Sequence, residues 1–210
     1  MTSPLLLLAS TSGSRRSVLD ATGFAYATDA PDVDERALIA EHRSAGEDIS
    51  PAREAGLLAQ AKAQDVAARP GSAGHLVLGC DSVFELDGAA YGKPHVPEVA
   101  IERWRQMRGR TGVLHTGHTL VDLRDGAESA GASVTVSTSV TFADASDEEI
   151  AAYVATGEPL GCAGGFTVDG KAAALVERID GDFHAVVGIS PNALRELCAQ
   201  LGVAVTELWS

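Results

Sequence analysis

Asp81 closes the run Leu76-Val77-Leu78-Gly79-Cys80, Ser82 follows it, and Gly92-Lys93-Pro94 brings back a lysine after Asp87-Gly88. An acid, a hydroxyl and an ammonium in one place suit phosphoryl chemistry. The acid orients or deprotonates water, and the cation neutralises charge on phosphoryl oxygens. With Asp87-Gly88 as a two-residue turn, Leu86 faces Ala89, Phe84 faces Tyr91 and Ser82 faces Lys93. Directly opposed Cβ atoms lie roughly 4.5–5.5 Å apart. Asp81 then falls at the open end of the hairpin. Taken alone, the same residues also fit a hairpin salt bridge.

Ser10-Thr11-Ser12-Gly13-Ser14-Arg15-Arg16 stands between the apolar run Leu5–Ala9 and a helix predicted over Ser14–Thr22, before Gly23. Backbone N–H groups and the helix dipole favour anions at such a junction. Hydroxyls add donors, and Arg15 or Arg16 can grip phosphate through two nitrogens. No GxxxxGK[ST] is present, so this is not a P-loop. A capped helix with two solvated arginines is the plain alternative. Asp32, Asp34 and Glu35 lie in a loop, Ala30–Arg36, and offer hard oxygen ligands for Mg²⁺ or a solvated acidic surface. The spacing resembles the DxD of haloacid-type phosphatases, but Ala27-Thr28-Asp29-Ala30-Pro31 is not the buried strand those acids follow. GxSxG and HExxH are absent; Gly188-Ile189-Ser190-Pro191 reads as a helix cap. His115 and His118 lie on a predicted strand, and His184 in a turn.

These groups need a scaffold. Strands are predicted at Leu5–Ala9, His75–Leu86, Ala89–Gly92, Val113–Leu123, Ala132–Ala143 and Ala173–Ile179. Ser50-Pro51 starts a helix that runs to about Arg69, with Leu57, Leu58 and Ala61 on its apolar side and Lys62 at the edge of that side. Further helices run over Pro97–Met107, from a capping box at Ser146 to Thr156, and from Ser190-Pro191 to Gly202. Strict βαβ alternation fails in the middle, so an α/β or α+β chain with a mixed sheet is expected.

At 210 residues, 45% hydrophobic and 21% charged, the chain can bury its own core, and it shows no linker or repeat. A single domain over 1–210 is expected. The net charge of −13, from 16 basic and 29 acidic residues, argues against a nucleic-acid polymer as partner. The three cysteines, Cys80, Cys162 and Cys198, form no CxxC and point to buried thiols in a reducing compartment. Leu5–Leu8 is too short for a signal sequence or a membrane span, so a cytoplasmic protein is expected.

Several stretches together resemble the Maf family of nucleoside triphosphate pyrophosphatases. "LLLLASTSGSRRSVLDATGF" resembles the family's strand, A-S-x-S-P-x-R and helix; "PDVDE" its P-D-x-D-E; "LAQAKA" its L-A-x-x-K-A; "GCDSVFELDGAAYGKP" its G-x-D-[ST] and G-K-P. "GRTGVLHTGHTLV", "CAGGFTVDG" and "VERIDGDFHAVVGIS" resemble later blocks in the same order. The resemblance implies an elongated mixed β-sheet flanked by helices, similar to the inosine-triphosphatase type. It implies hydrolysis of a nucleoside triphosphate to the monophosphate and pyrophosphate with a divalent metal, Mg²⁺ or Mn²⁺, by a homodimer.

The family's motif positions fall on Asp81 as proton acceptor, on Arg15, Lys62 and Lys93 as phosphate-handling cations, and on Glu35 as the loop acid. Glu35 and Asp81 become the implied metal ligands, and Ser10 and Ser12 belong to the implied phosphate turn. Members usually carry proline at the position of Gly13. The pyrimidine-preferring branch carries arginine, threonine and glutamine where this chain has Ser14, Ser82 and Asp169. The resemblance thus leaves base choice open among pyrimidine, modified purine and broad preference.

The chemistry these residues support is attack of water on the α-phosphorus with release of pyrophosphate. A free aspartate, with a pKa near 3.9, is a weak base at neutral pH, and metal coordination of the water would ease that. The competing readings are a non-catalytic partner protein of the same fold in cell division, a house-cleaning enzyme for damaged purine nucleotides, and a monophosphatase.

Overall fold

The computed structural model describes residues 5–127 and 130–210. Four buried apolar residues form strand β1, Leu6–Ala9. Helix α1, Gly13–Ala21, follows, capped by Ser12, whose side chain accepts from Arg15 N. Strand β2, Tyr26–Asp29, then lies parallel to β1 at the sheet edge. The segment before the acidic motif is therefore a strand, though a half-exposed one, and the DxD comparison gains no buried strand from it.

The expected loop over 30–36 is shorter than the sequence implies. Asp34 accepts from Ala37 N at 3.0 Å and caps helix α2, Glu35–Ser44. Helix α3, Pro51–Ala67, is capped by Ser50. Strand β3, Leu76–Leu86, turns at Asp87-Gly88 into β4, Ala89–Tyr91. Both turn residues take positive φ, 53° and 79°, the requirement of a type I′ turn. Helix α4, Pro97–Met107, leads to the long antiparallel strands β5, Thr111–Asp122, and β6, Ala130–Phe142. Helix α5, Asp147–Ala155, has the predicted capping box of Ser146 and Glu149. The strand predicted from Ala173 begins later, because a 3₁₀ turn occupies Lys171–Leu175 before β7, Val176–Asp180. His184 sits in a short helix, α6, Phe183–Val187, rather than in a turn; α7, Pro191–Gln200, follows.

The chain thus folds as a mixed α/β structure, its sheet running β2-β1-β3-β5-β6-β7 with β4 also on β3. β1 pairs parallel with β2 and β3, whereas β3, β5, β6 and β7 pair antiparallel. One detail positions the site. β5 lines one edge of β3 from Leu76 to Glu85. The other edge is shared: β1 takes Leu76–Gly79 and β4 takes Phe84–Leu86. Among the described residues no strand pairs with 80–83 on that edge, and Asp81 and Ser82 lie in this gap.

Helix α3 covers one face of the sheet at very close range. A Cβ on Gly79 would lie 2.2 Å from Ala59 O, and one on Gly117 would lie 2.3 Å from Ala55 O. The side chain is absent at both positions so that helix backbone can touch strand backbone. Two larger apolar clusters fill the remaining faces. One is aromatic: Phe84, Trp104, Phe142, Tyr153 and Phe166, with ring centroids 5.0–5.7 Å apart in edge-to-face pairs. The other is aliphatic, built on Leu6, Leu8, Leu19, Leu120 and Leu197. Among the described residues no helix is long and apolar enough to cross a membrane.

Candidate active site

A cavity of about 400 Å³ opens at the gap in β3. That volume lies within the range of small-ligand sites. Ser10, Ser12, Ser14, Arg15, Glu35, Lys62, Asp81, Ser82 and Lys93 all line it. Of the site residues that the family resemblance implies, Asp169 alone does not; Arg16, Asp32 and Asp34, offered on spacing, do not line it either. Asp169 lies exposed beyond the rim and accepts a hydrogen bond from Thr167, which does line the cavity.

Alternation along β3 turns Asp81 and Ser82 to opposite faces. Asp81 pairs in register with Gly117 and looks toward α3; Ser82 pairs with Thr116 and looks toward α6. On the α3 side, Lys62 donates to Asp81 Oδ1 and stands 2.7 Å from Glu35 Oε1. Lys62 and Asp81 are 8% and 9% exposed, so the close pair is largely desolvated. The lysine stem packs in the helix–sheet seam and its ammonium emerges at the cleft. The cation that meets Asp81 is thus the α3 lysine. The hairpin lysine does not oppose Ser82, because pairing ends at Phe84 and Tyr91.

Glu35 reaches this point because α2 starts there and its approach is tied down. Arg69 donates to Asp29 Oδ1 at 2.8 Å and to Ala30 O at 2.9 Å, while Asp32 N donates to Asp65 Oδ2 at 2.9 Å. Sequence reasoning missed this clamp, whose parts lie on β2, its following loop and the end of α3.

The N-terminus of α1 supplies a third wall. Ser12 N donates to Ser10 Oγ at 3.1 Å, fixing the turn. Arg15 donates from Nε to Gly188 O at 2.9 Å and from Nη1 to Ser10 Oγ at 3.2 Å. The guanidinium is therefore held in one plane at the cavity wall, next to open N–H groups of the first helical turn.

Lys93 lines the cavity from the segment after β4. Gly92 O before it accepts from Arg103 Nη1, and His95 N after it donates to Leu160 O at 3.1 Å. Ser82 Oγ lies 3.0 Å from Thr116 Oγ1, whose proton goes to Ala185 O at 2.7 Å. Ser82 must then be the donor in its bond with Thr116, and its lone pairs face the cleft.

The opposite wall is apolar: Leu114, Phe166, Val186 and Val187, with Cys162 and Thr167. Sequence reasoning gave none of these residues a role, although the quoted blocks carry all six: "GRTGVLHTGHTLV" Leu114, "CAGGFTVDG" Cys162, Phe166 and Thr167, and "VERIDGDFHAVVGIS" Val186 and Val187. The aromatic cluster positions that stretch, since Trp104 Nε1 donates to Gly165 O at 2.8 Å. Cys162 is half-buried, and burial first, then Glu158 and Asp169, pushes its thiol pKa up.

The fold is therefore that of a mixed α/β protein with a polar cleft where two strands share one sheet edge. The chain matches the family described as Maf-like protein over residues 5–201, and it belongs to that family. It is similar to a protein of Leifsonia xyli subsp. xyli named nucleoside triphosphate pyrophosphatase, 46% identical over 209 residues, covering 98% of this chain and 96% of the relative. A protein of the same name from Streptomyces coelicolor is 48% identical over 205 residues, covering 98% and 94% of the two chains. A third, from Thermosynechococcus vestitus, is 45% identical over 202 residues, covering 96% of each.

Proposed function

We propose that this chain is a nucleoside triphosphate pyrophosphatase, hydrolysing a ribo- or deoxyribonucleoside triphosphate to the monophosphate and pyrophosphate. The observation that carries this reading is the convergence of three cations, Arg15, Lys62 and Lys93, with two carboxylates and a helix N-terminus on one cavity. Family membership and the names of full-length relatives support it.

In this reading the triphosphate lies against the α1 N-terminus, where Arg15 and the Ser10–Ser14 turn bind it. Lys62 and Lys93 neutralise the charge that spreads over phosphoryl oxygens in the transition state. Asp81 orients the attacking water and takes its proton; a positioned base contributes about 10²–10⁴-fold. Attack at the α-phosphorus breaks the bond to the bridging oxygen, and pyrophosphate leaves with that electron pair. The base lies toward the apolar wall, within reach of Ser82, with Ser14 and Asp169 as further candidate contacts.

Glu35 and Asp81 present two carboxylates on either side of one ammonium, and no third His, Cys, Asp or Glu joins them among the described residues. That donor set fits Mg²⁺ or Mn²⁺, which take one or two carboxylates and complete their shell with water and substrate phosphate. Such an ion supplies further charge neutralisation at the phosphoryl oxygens. The same reading takes residues 1–210 as one domain, acting as a cytoplasmic homodimer on modified or pyrimidine nucleotides, without nucleic-acid polymer or membrane.

The test is a panel of ordinary and modified triphosphates, run with Mg²⁺ or Mn²⁺ and scored for pyrophosphate against orthophosphate. Pyrophosphate release that Asp81→Asn and Lys93→Ala abolish in folded protein is expected. Orthophosphate alone would mean cleavage at a terminal phosphate and favour a phosphatase over a pyrophosphatase, and no turnover of any triphosphate would favour the partner-protein reading.

A further inference from the structure

On the sheet face away from α3, a buried polar chain runs beneath the cleft, and the reaction proposed above uses none of it. His118, on β5, is 1% exposed. Its Nε2 accepts from the backbone N–H of Ser190 at 2.9 Å, which assigns the neutral Nδ1–H tautomer. Ser190 Oγ donates to Asp182 Oδ2 and accepts from Ala193 N at 2.9 Å, capping α7. Asp182 Oδ1 accepts from Ala185 N at 3.1 Å, capping α6. Thr138, on β6, accepts from Asp182 N at 3.0 Å. The segment 182–190 is thus sewn to the sheet near both of its ends.

That segment carries the Gly188 carbonyl on which Arg15 rests. Gly188 has φ +132°, a conformation that side-chain-bearing residues rarely adopt, and a Cβ there would meet Arg15 Cγ in ordinary contact at 3.4 Å, so the Arg15 stem runs alongside this turn. The N–H that His118 accepts lies two residues beyond this carbonyl, on Ser190. An apolar side chain in its place would leave a buried N–H unpaired, and the turn would shift to satisfy it. A guanidinium grips phosphate through a planar fork, so a small rotation of its support matters more than for a point charge.

We propose that His118 is a positioning residue for the triphosphate. It does not touch the ligand; it fixes the Gly188 turn and through it the plane of Arg15. This rests on the triphosphate reading above, and the experiment separates the two.

Inorganic tripolyphosphate is titrated calorimetrically into the full chain, alongside steady-state turnover of nucleoside triphosphate. His118→Leu is expected to weaken tripolyphosphate binding and raise KM about tenfold, with kcat within about threefold, as for a loss of binding shared by ground and transition states. His118→Gln, whose Oε1 can accept from Ser190, is expected within about twofold of wild type in both measures. In a cycle with Arg15→Met, the double variant is expected to bind no more weakly than Arg15→Met alone. If His118→Leu fails to fold, His118→Asn, too short to reach Ser190, replaces it in the same cycle.

Unchanged tripolyphosphate affinity in the Leu or Asn variant overturns the proposal, as does a loss that adds in full to that of Arg15→Met. Absent turnover in wild-type protein sinks the pyrophosphatase reading instead, while the tripolyphosphate cycle still decides the role of His118.

Discussion

Lys62 Nζ lies 2.7 Å from Glu35 Oε1 and donates on its other side to Asp81 Oδ1, so one ammonium joins a helix acid to a strand acid. The two acids are not equivalent. The Glu35 side chain is 51% exposed, whereas Asp81 is buried. Removing the lysine strands the buried carboxylate, while removing Asp81 leaves the lysine with Glu35. Lys62→Met is therefore expected to lower stability by about 3 kcal/mol, and Asp81→Asn by clearly less. The double variant should regain part of the loss. All three should release pyrophosphate at least about a hundredfold more slowly. Thermal unfolding beside turnover checks this; equal destabilisation by the two single changes would contradict it.

The thiols give a second test of where substrate sits. Burial pushes Cys80 up to about 12 and Cys198 up to about 11, and both are fully covered. Cys162 is also raised, but it lines the cleft, and the Lys93 charge opposes the rise. Only the thiolate alkylates. Iodoacetamide should label Cys162 first, faster as pH rises, and bound nucleoside triphosphate should slow it. Peptide mass analysis after brief labelling measures this; equal rates with and without nucleotide would place the ligand elsewhere.

Acid should loosen the turn behind Arg15. Burial first and the Arg15 charge second push the His118 pKa from 6.5 down to about 4. The folded state thus holds its proton less tightly than the unfolded chain. The stabilisation is complete above about pH 6.5 and is lost as pH falls toward 4, by an amount on the order of 3 kcal/mol. His118→Gln does not titrate, so its stability should fall less steeply than wild type across this window. Parallel melting curves against pH would show that another group is responsible.

Gly117→Ala probes the seam between α3 and the sheet. Its Cβ would lie 2.3 Å from Ala55 O, a main-chain atom that cannot rotate away. The helix must lift, moving Lys62 from Asp81, so stability should drop by about 1–3 kcal/mol or more. Turnover should fall with it. Gly126→Ala is the control for handling: among the described residues nothing lies within 4 Å of its Cβ, although its φ of +86° brings local strain. Full activity in a folded Gly117→Ala protein would mean the close approach does not position the lysine.

What the sequence made legible was local. The Asp87-Gly88 turn, the caps at Ser50, Ser146 and Ser190, and the glycine after α1 all act within a few residues. Alternation also holds in β6. What it hid was non-local. Asp34 looks like a metal ligand until α2 is seen to start on it. Extending the hairpin register placed Lys93 opposite Ser82, but pairing stops at Tyr91. Lys62 could be read at the edge of an apolar helix face, yet no spacing shows that the helix lies across Asp81. Bare glycines on β3 and β5 decide that approach, and glycine in a strand signals closeness without naming the neighbour. The apolar wall stayed unseen because its residues come from β5, α6 and the turn near 161–167.

The shared edge of β3 has an evolutionary consequence. The turn that leads out of β1 and the hairpin that ends in Lys93 arrive from unrelated parts of the chain and meet only across residues 80–83. Insertions are tolerated at hairpin tips far better than inside strands. A lineage can lengthen or trim the hairpin at its 87–88 tip, away from the cleft, while Lys93 beyond its base and Asp81 in the gap stay where they are. Change in the hairpin's length is then absorbed outside the cleft, and the groups gathered at the gap are passed on together.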